Sequence, residues 1–241
     1  MRKLFFLPIL LFFTVSAAQD LEGSWQLIEI NDQPVNDRET VRIYMDNYFA
    51  QGTRETGTNK FISATGGEYS FDEIYRETYD FDTQDTSVIG KTKDFDTELQ
   101  QNLFILTAQD GSTYTWKRIS REYDDLSGNW VITGRQRNGE MSRSTPGDRR
   151  TIKILGGDRF QWVAFNSATG EFSGTGGGTY SAEDGKYIEN IEFFSRDDSR
   201  VGASLGFDYE VNDGEWHHSG KSSKGDPIYE IWSPYAEAYK E

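Results

Sequence analysis

Short stretches in which apolar and polar residues alternate are broken every few positions by Asp, Asn, Gly and Ser, and no long stretch carries a helical period. The apolar positions are rich in Val, Ile, Phe, Tyr, Trp and Thr, which suit a pleated surface. This punctuation predicts strands at residues 24–30, 41–45, 67–71, 74–81, 103–107 and 113–119, and then at 129–135, 151–155, 159–166, 178–181, 187–194, 201–205, 207–211, 215–219 and 228–232. Asp110-Gly111, Gly156-Gly157, Asp184-Gly185 and Asp213-Gly214 fall where hairpins should close.

The pattern occurs twice. Gly23-Ser24-Trp25 returns as Gly128-Asn129-Trp130, and Gly66-Gly67-x-Tyr69-Ser70 returns as Gly177-Gly178-x-Tyr180-Ser181. Tyr75-x-Glu77 with Phe81 matches Tyr187-x-Glu189 with Phe193, and Trp116 matches Trp232. The offset grows from 105 to 116 without a change of order, as expected of a duplicated unit with insertions. Each copy has room for about eight to ten strands, and closure of such a sheet removes its exposed edges. The prediction is an all-β chain of two tandem antiparallel up-and-down β-barrels, at residues 19–120 and 127–241, joined by a short polar linker at 121–126.

Arg2-Lys3, an apolar run from Leu4 to Phe13 and small residues up to Ala18 read as a secretory signal peptide at residues 1–18. Its apolar stretch is well short of the roughly 20 residues that span a bilayer, and no later segment is apolar enough to do so. The expectation is an exported protein, periplasmic or extracellular, with no transmembrane segment once the signal is removed. The absence of cysteine excludes a lipid-modified cysteine, disulfides and thiolate chemistry. Without residues 1–18 the chain keeps 23 basic against 40 acidic side chains, a formal charge of −17, which argues against nucleic acid as a partner. One basic stretch, from Arg135 to Arg159 with Arg137, Arg143, Arg149, Arg150 and Lys153, reads either as a solvated hairpin face or as an anion-binding rim.

Gly-x-Trp at the head of each copy, the meander after it, and Trp116-Lys117-Arg118 near the end of the first resemble the lipocalin-like barrels of the calycin superfamily. Gly-Gly-x-Tyr-Ser, Tyr-x-Glu and the terminal Trp are similar to a family of uncharacterised lipocalin-like domains in secreted bacterial proteins. The resemblance implies that Trp25 closes the barrel floor with Arg118 lying across it. It implies the same floor role for Trp130, although Trp232 is followed by Ser233-Pro234, so no arginine stands at the matching place.

Strand alternation places Tyr75, Glu77, Tyr79 and Phe81 on one face, and Tyr187, Glu189, Ile191 and Phe193 on another. A carboxylate among aromatics is costly to bury unpaired. Either each Glu is satisfied by a tyrosine, such as Tyr69 or Tyr180, or by an arginine, or Glu77 and Glu189 anchor a ligand in an apolar pocket with these neighbours. His217 and His218 are adjacent and point to opposite faces, so no metal site is expected, and no cofactor motif occurs. No Gly-x-Ser-x-Gly elbow occurs, and Gly174 to Gly178 reads as a strand bend.

Three functions follow as expectations. The first is a non-catalytic binding protein whose barrels each enclose a small, mostly apolar molecule. The second is a packed module that contacts a protein or glycan through outer loops. The third is a cofactor-free isomerase-type enzyme that uses an inward Glu with a nearby Tyr.

Overall fold

The computed structural model describes residues 21–222 and 225–238, so the expected signal at 1–18 lies outside the described residues. The first half comprises β1 (Gly23–Ile30), β2 (Gln33–Pro34), β3 (Arg38–Met45), β4 (Tyr48–Glu55), β5 (Phe61–Phe71), β6 (Tyr75–Asp82), β7 (Thr92–Gln100), β8 (Leu103–Ala108) and β9 (Thr113–Ser120). The second half comprises β10 (Gly128–Arg137), β11 (Glu140–Arg143), β12 (Arg149–Gly156), β13 (Arg159–Asn166), β14 (Glu171–Glu183), β15 (Lys186–Phe194), β16 (Ser204–Asn212), β17 (Glu215–Lys221) and β18 (Pro227–Pro234). A single helical turn, α1 (Tyr235–Ala238), follows.

Each half is one antiparallel meander. Pairing of β1 with β9, and of β10 with β18, closes each into an eight-stranded barrel, with β2 and β11 as extra strands. Left-handed turn residues close the hairpins as anticipated at Asp184-Gly185 and Asp213-Gly214, whereas β12 turns into β13 at Gly157-Asp158, one residue later than expected. Strands β4 and β7 were not anticipated. Thr92–Gln100 reads as polar because only Phe95 along it is buried. The two short strands expected at 201–205 and 207–211 are the single strand β16, preceded by a 3-10 turn at Asp198–Arg200.

One apolar cluster lies within each barrel, and a third joins them. Ile43, Met45, Tyr48 and Phe81 of the first barrel pack there against Ile152, Ile154, Val163 and Phe165 of the second. Phe81 meets Phe165 at a centroid distance of 5.0 Å, and Phe61 stacks on Phe172 at 6.3 Å. Polar contacts ring this seam: Asn129 N donates to Asp46 Oδ2 at 2.8 Å, Ser24 Oγ to the Gly157 carbonyl at 2.6 Å, and Arg54 pairs with Glu192 at 3.2 Å. The barrels are therefore packed face to face.

Two bulges decide which aromatics reach this seam. In β6, Tyr79 faces Gly67 and Phe81 faces Gly66, which leaves Asp80 as an extra residue. In β15, Ile191 faces Gly178 and Phe193 faces Gly177, which leaves Glu192 extra. An extra residue inverts the phase of alternation beyond it. Phe81 and Phe193 therefore do not share the inward face of Glu77 and Glu189, contrary to the simple alternation. Both turn outward into the space between the barrels, where Phe193 lies against Gly52 and Phe61.

Candidate functional site

In the first barrel Arg42 comes from β3, opposite Trp25, and Glu77 from β6. Arg42 Nη1 lies 2.5 Å from Glu77 Oε1, which also accepts from Tyr75 at 2.8 Å, while Oε2 accepts from Tyr79 at 2.6 Å. The guanidinium donates to the Tyr44 hydroxyl at 2.9 Å and to Gln51 Oε1 at 2.8 Å, and it lies 4.6 Å from the ring centroids of Phe49 and Trp116. Glu77 is 1% exposed. A buried charge pair is tolerable only when its remaining lone pairs and protons are satisfied, and here they are. Burial, opposed by Arg42 and reinforced by Glu77, pushes the Tyr44 hydroxyl up to about 12. The remaining interior is filled by Trp25, Phe95, Phe104, Leu106 and Trp116, with Ile30 and Tyr114 packed against them. This barrel is plugged by its own side chains.

Strand register maps that plug onto the second barrel. Lys153 faces Trp130 as Arg42 faces Trp25, and its Nζ lies 2.6 Å from Glu189 Oε1. Ile191 stands opposite Gly178 where Tyr79 stands opposite Gly67. The paired residues Leu106 and Tyr114 correspond to the paired residues His218 and Glu230, and Ile30 beside Tyr114 corresponds to Arg135 beside Glu230. The large or apolar plug residues are thus exchanged for a smaller Ile and for charged or polar groups. A cavity of about 650 Å³ accompanies these exchanges. Its lining includes the buried Lys153, Glu189, Ile191, Phe207, His218 and Trp232 and, at the exposed mouth, Arg149 and Arg196.

Two charge clusters line this cavity. Lys153, 5.2 Å from the Trp216 ring centroid and 5.3 Å from those of Tyr187 and Trp232, is neutralised by Glu189. His218 is 2% exposed, and neither ring nitrogen has a hydrogen-bond partner. Its Nδ1 faces Glu230 Oε2 at 3.5 Å, without full hydrogen-bond geometry. Burial lowers the His218 pKa, so the ring is neutral at pH 7. Burial alone would raise Glu230, but His218, Arg135 and Lys153 outweigh it and hold the carboxyl at about 2. Arg135 donates to Glu230 Oε1 at 2.7 and 3.1 Å.

Of the residues singled out by sequence, Glu77 and Glu189 are both buried and inward, but only Glu189 lines a cavity. Tyr75 and Tyr79 hydrogen-bond Glu77, and Tyr69 instead packs edge-on against Tyr44 at 5.0 Å. Tyr187 lies beneath the cavity with its hydroxyl unpartnered, and Tyr180 contacts Ser127 at 3.4 Å, away from Glu189. Lysine, neither tyrosine nor arginine, satisfies Glu189. Phe81 and Phe193 lie in the seam between the barrels. The Arg118 guanidinium lies 3.8 Å from the Trp25 ring centroid and donates to the Glu22 carbonyl at 2.8 Å. Trp130 faces Pro234 at the matching place and packs edge-on against Trp216 at 5.9 Å.

Sequence reasoning missed Arg42, Lys153, Glu230, Trp232 and Phe194 as interior residues, and the exposed Arg135 as lining the cavity. One signal was present: Val41-Arg42-Ile43 and Ile152-Lys153-Ile154 place a cation between β-branched neighbours at equivalent points of both copies. Among the described residues, no three His, Cys, Asp or Glu side chains gather to hold a metal, and no helix is long and apolar enough to cross a membrane. No family model matches the chain, and no curated protein is significantly similar to it.

Proposed function

We propose that this is an exported, lipocalin-like binding protein in which the second barrel takes up one small molecule and the first is a plugged scaffold. The observation that carries this reading is the exchange of Tyr79, Leu106 and Tyr114 for Ile191, His218 and Glu230, which accompanies the cavity of about 650 Å³. That volume suits a molecule of drug-like size, and aromatic walls with a few convergent polar groups are the usual dress of a ligand site. The reading narrows the expectation of one ligand per barrel to one ligand per chain. Binding of N-phenyl-1-naphthylamine, an uncharged aromatic reporter, tests it. The protein should enhance the reporter's fluorescence, and Ile191→Tyr with His218→Leu, which installs the first barrel's residues, should abolish the effect in a chain that remains folded. Binding that survives this plug would overturn the reading.

A further inference from the structure

The cavity does not treat all charges alike. Five cationic residues line it, Arg135, Arg149, Arg150, Lys153 and Arg196, of which Arg150 turns its side chain to Asp80 and Tyr235 in the seam, against the two carboxylates Glu189 and Glu230, in a chain whose formal net charge is −15. Three of the five face a carboxylate: Lys153 with Glu189 at 2.6 Å, Arg135 with Glu230 at 2.7 Å, and Arg150 with Asp80 at 3.9 Å. Arg149 has no ion pair or side-chain hydrogen bond among the described residues, and Arg196 commits only Nε, to the Ser173 carbonyl at 2.6 Å. Both are exposed and line the mouth. The excess positive charge of the cavity is therefore concentrated at its entrance.

The placement of these two arginines is built into the strands. Arg149, Thr151 and Lys153 alternate along β12 on the inward face, which puts Arg149 about 13 Å above Lys153 at the usual rise per residue. Arg196 follows Phe194, which the bulge at Glu192 returns to the inward face. A Cβ at Gly174 would come within 2.5 Å of Arg196 Nε, so glycine in β14 is what lets that side chain lie across the strand.

Deeper in the cavity the need is different. His218 is buried and neutral at pH 7, and its Nδ1 faces the Glu230 carboxylate at 3.5 Å, which leaves Nε2, without a partner, as the acceptor it offers to a ligand group. A buried polar group without a partner costs free energy that a ligand hydroxyl would recover. The orphaned indole N–H of Trp232 is less informative, because its counterpart Trp116 is orphaned in the plugged barrel as well.

We infer that the ligand is an amphipathic anion: a ring-bodied molecule with a carboxylate or similar oxyanion between Arg149 and Arg196, and a hydroxyl that donates to His218. This rests on the second barrel being a ligand site. Arginine suits planar oxyanions, and its charge at a half-solvated mouth favours the anion without the cost of burying it.

Three fluorescent probes separate the parts of the claim: 6-hydroxy-2-naphthoate, its uncharged methyl ester, and 2-naphthoate without the hydroxyl. The hydroxy acid should bind about 10-fold tighter than its ester and several-fold tighter than 2-naphthoate. Arg149→Gln with Arg196→Gln should bring the acid down to the affinity of the ester and leave the ester unchanged. His218→Phe should remove the advantage of the hydroxyl and leave the preference for the acid. An ester that binds as tightly as the acid, or an acid preference that survives the double arginine variant, overturns this inference while the cavity remains a ligand site. Failure of all three probes to bind overturns this inference, and failure of N-phenyl-1-naphthylamine as well overturns the ligand site on which it rests.

Discussion

Lys153 Nζ lies 2.6 Å from Glu189 Oε1 inside the second barrel, at the place where the first barrel holds Arg42 against Glu77. The two pairs share a position and differ in surroundings. Glu77 is enclosed by tyrosines and a filled core, so Glu77→Gln leaves Arg42 as an uncompensated buried charge and should cost about 3–5 kcal/mol. Glu189→Gln leaves Lys153 beside a cavity that water can enter, and the cost should be less than half as large. Urea denaturation of the two variants measures the difference, and equal costs would speak against it.

Arg118 holds Trp25 by a cation–π contact at 3.8 Å and ties to the Glu22 carbonyl. Arg118→Ala should lower stability by about 1–3 kcal/mol, the sum of a partly desolvated cation–π contact and a charged hydrogen bond. Arg118→Lys should recover part of the first and less of the second. A loss no larger than that of an exposed arginine, read by thermal denaturation, would remove Arg118 from the account of how the barrel closes.

Acid should destabilise the second barrel in two stages. The folded-state pKa of His218 lies below its ordinary 6.5, so the unfolded chain takes up that proton first, and stability falls as pH drops below about 6.5. Glu230 is held at about 2 against an ordinary 4.5, so its contribution is complete above 4.5 and is lost as pH falls from there towards 2. His218→Phe should remove the first stage and leave a loss confined to the carboxylate range. Urea midpoints measured from pH 8 to pH 3 show whether the upper stage vanishes in the variant.

The seam between the barrels couples them. Phe81 is 2% exposed against Phe165, and Phe81→Ala should cost about 3–5 kcal/mol. The wild-type chain should unfold in one cooperative transition, and Phe81→Ala with Phe193→Ala should split it in two. A single unchanged calorimetric transition in the double variant would mean that the seam contributes little.

The duplication made the architecture legible, because matched Gly, Trp, Tyr and Glu positions recur in one order and strand punctuation is local. The inward placement of Glu77 and Glu189 was legible for the same reason. The bulges at Asp80 and Glu192 were not, since a bulge exists only relative to a partner strand. The paired glycines Gly66-Gly67 and Gly177-Gly178 are their trace: a Cβ at Gly67 would fall 1.9 Å from the Thr78 carbonyl oxygen, and at Gly178 2.0 Å from that of Asn190. The difference between a plugged and a hollow barrel was hidden as well. It depends on pairs such as Leu106 with Tyr114 and His218 with Glu230, whose members meet across strands and only after closure.

The central claim, one filled barrel and one hollow barrel per chain, is tested most directly by a crystal held under xenon pressure, since xenon occupies apolar space wide enough to admit it. The account predicts xenon density beside Ile191 and Phe207 in the second barrel and none among Tyr44, Phe49 and Phe104 in the first. Xenon inside the first barrel, or a second barrel whose side chains leave no room for it, would contradict the account.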